Sequence, residues 1–130
     1  MKTLIKALCD SAFLDDGKKL NIIGVFDNIN APQFPVRHPK MSCVLSLEDG
    51  KPNEKVDYYF SVENSRGETL VNMNEKKAQA QIGNNGRLNL IFNIIDMAFK
   101  EEGTYKITLY VGDYKDYLSF EVKPLPQGRA

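Results

Sequence analysis

Residues 88–122 read LNLIFNIIDMAFKEEGTYKITLYVGDYKDYLSFEV, and their pattern decides the fold. Leu88, Leu90, Phe92 and Ile94 alternate with mostly polar neighbours. Tyr105, Ile107, Leu109 and Val111 do the same, and so do Leu118, Phe120 and Val122. Alternation at period two is the mark of a strand with one dry and one wet face. Between the first two strands lies Phe99-Lys100-Glu101-Glu102-Gly103-Thr104-Tyr105, an acidic-Gly-x-Tyr corner leading into a strand. Corners of this type resemble the tyrosine corner of immunoglobulin-like sandwiches.

Upstream, the pattern continues. Leu4 to Leu14 is apolar on both faces, with Ile5, Ala7, Cys9 and Phe13 on one and Leu4, Leu8, Ala12 and Leu14 on the other. That predicts a central strand or one shared between sheets. Asp15-Asp16-Gly17-Lys18 is a hairpin turn, returned by a strand over residues 19–29. Gly24 inside that strand predicts a bulge or a close backbone approach. Pro32, Pro35 and Pro39 make residues 30–39 an extended crossover between sheets, with Phe34-Pro35 read as trans. Met41, Cys43, Leu45 and Leu47 face the core, as do Val56, Tyr58, Phe60 and Val62. Short strands follow at residues 69–73 and 78–82, the second an exposed edge, and residues 95–100 are the one candidate for a helical turn.

Eight or nine short strands joined by short turns predict an all-β fold: a two-sheet antiparallel immunoglobulin-like β-sandwich, with a small barrel second. Residues 1–123 form one domain, and 124–130, with two prolines and a glycine, a short flexible tail.

Several of these pieces stand together elsewhere. Leu8-Cys9-Asp10, Asp16-Gly17-Lys18, Leu20-Asn21-Ile22-Ile23-Gly24-Val25-Phe26-Asp27, Ala31-Pro32-x-Phe34-Pro35, Pro39 and the Gly103-Thr104-Tyr105 corner resemble an uncharacterised family of small bacterial proteins. The resemblance covers most of the chain and is strongest over residues 8–39. It implies a β-sandwich and carries over no active-site residue.

Composition narrows the function. Lys plus Arg and Asp plus Glu both number 17, so the net charge is zero. A nucleic-acid or anionic-lipid surface draws its affinity from a basic excess, so neither partner is expected. No apolar run approaches the roughly 20 residues that span a bilayer, and residues 1–10 lack a signal-peptide core, so cytoplasmic residence is the expectation. Cys9 and Cys43 then read as free, buried thiols.

No chemistry assembles from motifs. His38 is the lone histidine, without ligand spacing, and Arg37 beside it disfavours a cation. There is no nucleophile elbow. Gly83-Asn84-Asn85-Gly86-Arg87 lacks the lysine and the helix of a phosphate loop and reads as a hairpin turn. The expectation is therefore no catalytic residue, no metal and no cofactor. The favoured function is a non-enzymatic interaction module that presents a sheet face and loops to a protein partner or to its own copy. Tyr59, Tyr110 and Tyr117 on outward positions, with Phe34, Arg37 and His38 of the crossover, are the candidate surface. One alternative is a ligand or calcium site drawn from Asp15, Asp16, Asp113 and Asp116 in the hairpin loops. Another is a structural subunit of a larger assembly.

Overall fold

The computed structural model describes residues 1–126. The alternating segments form ten strands: β1 (Lys2–Leu14), β2 (Leu20–Val25), β3 (Asn28–Ala31), β4 (Val36–Glu48), β5 (Lys55–Glu63), β6 (Thr69–Asn72), β7 (Ala78–Gln81), β8 (Leu88–Phe99), β9 (Gly103–Val111) and β10 (Tyr114–Pro124). One sheet has the order β2-β1-β4-β8. The other runs β3-β10-β9-β5-β6, with β7 also on β5. The two pack face to face as an all-β sandwich, as the alternation predicts.

The core between them is built from the predicted inward sets. Met41, Cys43, Leu45 and Leu47 of β4 and Leu90, Phe92 and Ile94 of β8 meet Val62, Ile107, Leu109, Val111 and Val122 from the second sheet. Tyr105 is buried, and its hydroxyl donates to the Glu101 carbonyl at 2.6 Å, closing the predicted tyrosine corner. Burial raises the pKa of that hydroxyl, and the bond to the Glu101 carbonyl opposes the rise. Tyr105→Phe removes this bond and leaves the carbonyl short of a partner. It is expected to cost about 1–3 kcal/mol in urea denaturation; a variant as stable as the parent would show the corner to be ornamental.

Five details depart from the sequence reading. There are ten strands, because the segment over residues 19–29 breaks at Phe26-Asp27. β2 stays beside β1, whereas β3 crosses over and pairs parallel with β10, Val122 opposite Ile29. The sandwich is thus antiparallel except for this one pair. The break follows Gly24, whose φ of +72° lies in the left-handed region that favours glycine; an added Cβ would also meet the Asp10 side chain.

The proline crossover is shorter than expected. β4 already starts at Val36 and lies at the centre of its sheet. Pro39 is tolerated because residues 36–40 of β4 pair only with β8; the ladder with β1 begins at Ser42. The Phe34-Pro35 peptide is cis.

Residues 95–100 are not a helical turn. β8 continues to Phe99, but Asp96 adopts φ 58° opposite Pro39. On both strands the inward side switches at that step, so that Met97 and Phe99 join the core although they are out of phase with Ile94. The tail also differs. β10 continues to Pro124, and the Leu125 amide donates to the Ala31 carbonyl at 2.9 Å. The rest of the expected tail, residues 127–130, lies outside the described residues.

Candidate functional site

The sequence points first to the outer face of the second sheet. Its register sets Lys115, Tyr110 and Tyr59 in one row across β10, β9 and β5. Tyr117, Thr108 and Ser61 form the next row, and Ser119, Lys106 and Glu63 the third. Tyr59 and Tyr110 stack with centroids 4.4 Å apart and planes at 10°. Lys77 lies 5.7 Å from the Tyr59 ring. Tyr117 is 54% exposed, with Lys106 and Lys6 Nζ 5.0 and 5.4 Å from its ring. The three tyrosines therefore share one face, as their parity predicts.

The other three candidates do not join them. Arg37 and His38 belong to β4 in the opposite sheet. Arg37 is ion-paired to Asp96 at 2.9 Å and donates to the Asp96 carbonyl, bracing the left-handed step in β8. His38 is half-buried with its ring 6.0 Å from Phe26, and Phe34 packs on the core. Each has a structural partner, and the six residues form no single surface.

The acidic loops are separated as well. Asp116 accepts from Thr3 Oγ1 at 2.8 Å and from Lys6 Nζ at 2.9 Å, near the start of β1. Asp15 lies past the far end of that strand, where it accepts from the Lys19 amide. The twelve residue steps from Thr3 to Asp15 span about 40 Å of extended strand. The convergence that a calcium site needs is not present. Among the described residues no three His, Cys, Asp or Glu side chains are placed to hold one metal ion.

Partial burial raises the Asp116 pKa, but hydrogen bonds from Lys6, Thr3 and its neighbour's amide more than offset it, leaving the carboxyl below its usual 3.8. A depressed carboxylate stabilises the fold above its unfolded value, and loses that contribution as pH falls through its folded value. Asp116→Asn is thus expected to cost about 1 kcal/mol at neutral pH. The difference from the parent should shrink below pH 3.8. Urea midpoints across that range check it, and a pH-independent difference would refute it.

The outer face of the β2-β1-β4-β8 sheet was not predicted. Paired residues project to the same side. The register therefore gives outward rows Val25–Cys9–Ser42–Asn93, Ile23–Ser11, Ala7–Val44–Ile91 and Ile5–Ser46–Asn89. None of these positions is charged. The charges stand at the ends, with Lys2 opposite Glu48 and Lys40 opposite Ile95. The middle of the face is a floor of small side chains. Cys9, Ser42 and Val44 have no accessible surface although they point away from the core. Ser42 and Ser46 donate to Asn93 and Asn89 at 2.8 and 2.6 Å, zipping β4 to β8 across it. Taller apolar side chains rise on either side: Ile23 is 55%, Val25 66% and Ile95 63% exposed.

Both cysteines are free and buried, as expected. Burial pushes both thiols up, with a smaller electrostatic push from Asp10 at Cys9 and from Cys9 at Cys43, so neither is a ready nucleophile. The signal for the apolar face was in the sequence, as the two-faced β1 and the out-of-phase Ile23, Val25, Ile91 and Ile95. These side chains suit any strand, and so read as propensity rather than surface.

No helix among the described residues is long and apolar enough to cross a membrane. No curated protein matches the chain by sequence. Among solved structures, the alkylpurine DNA glycosylase AlkC of Pseudomonas fluorescens, bound to DNA containing an abasic-site analogue, shares the fold. Its TM-score is 0.52 at 10% identity, and the match covers 91% of this chain and 30% of that one. The chain thus spans under a third of that protein's length, and identity this low speaks for the fold alone. It does correct one expectation: a neutral total charge does not set this sandwich apart from nucleic acid, because the same fold forms part of a protein that is bound to DNA. A model of a family of unknown function, DUF6941, matches residues 4–123 of the sequence, and the chain belongs to that family.

Proposed function

We propose that the protein is a non-enzymatic interaction module and that the outer face of the β2-β1-β4-β8 sheet is its docking surface for a protein. The observation that supports this is the absence of charge across four strands of that face, with Ile23 and Val25 at one edge and Ile95 at the other more than half exposed. A soluble surface normally intersperses charge, and an uncharged face with exposed apolar side chains is a candidate interaction site. The floor of Cys9, Ser42 and Val44 between taller walls gives the face relief for a complementary partner.

Photo-crosslinking side chains placed at Ile23 and, as a control, at Ser119 on the opposite sheet test this in cells that make the protein. Discrete protein adducts from position 23 and none from position 119 are expected. Adducts from position 119 alone, or none from either, would overturn the reading.

A second reading uses the tyrosine face. Tyr117 between Lys6 and Lys106, beside the stacked Tyr59–Tyr110 pair, combines aromatic planes with cations, a pairing that suits single-stranded nucleic acid. Its charge is largely spent internally, because Lys106 pairs with Glu63 at 3.1 Å and Lys6 with Asp116 at 2.9 Å. Fluorescence anisotropy of a labelled single-stranded oligonucleotide at low salt tests it. Binding lost in Lys106→Glu would support it, and no binding would dismiss it.

A further inference from the structure

We infer that a second copy of this chain pairs with the outer edge of β8, antiparallel and about a two-fold axis at Ile91. The two four-stranded sheets then join into one of eight. This inference rests on the free edge of β8; Ile91 also belongs to the outward rows of the proposed docking face, and Ile23→Lys on β2 separates the two readings.

An unpaired strand edge is a template for another strand, and folded proteins blunt such edges with short strands, bulges, prolines or lysines. The other edges here are blunted. β2 has six residues and the left-handed Gly24; β3 has four and runs into Pro32. β6 and β7 have four each, parted by a 3-10 turn that carries Lys76 and is followed by Lys77. β8 has none of these devices along most of its length. It runs for 12 residues, and among the described residues it pairs with β4 alone. Leu88 to Ile95 contains no charge and no proline. Its polar side chains do not guard the edge either, because Asn89 and Asn93 are turned back onto Ser46 and Ser42.

The strand is also complementary to itself. With Ile91 opposite Ile91, Asn89 meets Asn93 of the second copy and Leu90 meets Phe92. Core-facing positions thus lie opposite core-facing ones, and outward opposite outward. The ends carry opposite charges, Arg87 before the strand and Asp96 within its last turn of sequence. Antiparallel pairing in this register sets Arg87 of one copy opposite Ile95 and next to Asp96 of the other, at both ends of the ladder, where it would share Asp96 with Arg37, its partner within the chain. Arg87 has only a distant internal partner, Glu48 at 3.9 Å. A shared contact of this kind at each end favours this register over a slipped ladder.

Sedimentation velocity on the full chain, from low to high micromolar concentration, tests this. A reversible dimer is expected. Ile91→Lys places like charges opposite each other on the axis, and should weaken the dimer about 100-fold or more with an unchanged far-ultraviolet spectrum. Arg87→Glu places like charges at both ends and should weaken it about tenfold. Ile23→Lys, on the far side of the sheet, should leave the dimer intact. A parent chain that stays monomeric throughout overturns the inference. So does a dimer that survives Ile91→Lys and Arg87→Glu, and so does one that Ile23→Lys splits, since that assembly would use the apolar face. Should Ile91→Lys fail to fold, amide exchange of the parent decides. Protection of alternate β8 amides that rises with protein concentration is expected, and its absence overturns the inference.

Discussion

Phe99→Ala is expected to destabilise the protein by about 3–5 kcal/mol, the range for deleting a fully buried aromatic ring. Phe99 has no accessible surface. It ends β8 in one sheet, and its ring meets two rings of the other, Tyr105 edge-on at 4.8 Å and Phe120 edge-on at 5.7 Å. Tyr105 and Phe120 stack in turn at 5.8 Å. The triplet is the aromatic clamp between the sheets at the end where the tyrosine corner turns. Truncation leaves a cavity lined by two rings already held in place, Tyr105 by its hydroxyl bond and Phe120 by β9, so the site cannot collapse cheaply. Against a typical total of about 5–15 kcal/mol, this is a large share of the stability. Urea denaturation measures it directly; a loss below about 1 kcal/mol would mean that the sheets are clamped elsewhere.

Gly86→Ala should cost about 2–4 kcal/mol, from strain and collision together. Gly86 has φ +78°, and a Cβ there would lie 2.9 Å from the Gly50 carbonyl oxygen. The obstacle is backbone and cannot swing aside. It is also held, because the Gly50 amide donates to the Gly86 carbonyl at 2.9 Å, joining the turn after β4 to the turn before β8. Gly67 supplies the control. Its φ is likewise +78°, but nothing lies within 4 Å of the added carbon. Gly67→Ala therefore isolates the conformational cost, about 1 kcal/mol. The difference between the two variants in thermal or urea unfolding reports the contact between the turns. Equal losses would show that the turns yield, and that the contact contributes little.

Much of this architecture is legible in the sequence, for a physical reason. The core sets of β4, β5, β9 and β10 keep strict period-two alternation, and a half-buried strand has few other ways to satisfy its side chains. The misreadings cluster where backbone geometry changes parity without changing composition. β2 ends just after Gly24 and residues 28–31 cross to the other sheet, and Asp96 opposite Pro39 reverses the inward side of two strands at once. A reader of residues sees Ile94-Ile95-x-Met97-x-Phe99 as a loss of strand period and infers a helical turn. The candidate surface divided for a related cause. Tyr59, Tyr110 and Tyr117 lie on regular strands, so their shared face follows from counting. Phe34, Arg37 and His38 flank the irregular step, where local partners claim them. The apolar face was hidden because isoleucine and valine are what strands are made of, buried or not.

The position of β4 has a consequence for how the chain reaches this structure. Its two ladder partners are remote in sequence: Glu48 pairs with Lys2, and Leu47 with Leu88. No tight hairpin nucleates either ladder: the first closes at Cys9–Ser42 across a loop of about 32 residues and the second at Leu47–Leu88 across about 40. Topologies dominated by such distant pairings fold on the scale of milliseconds to seconds. On the ribosome, β1 and β4 emerge and can pair while β8 is still unmade. Until synthesis passes Phe99, the flank of β4 that β8 will occupy stays open. Variants that loosen β8 should therefore show poor yield in cells as well as a lower melting temperature, because they prolong the time that the flank of β4 stays open.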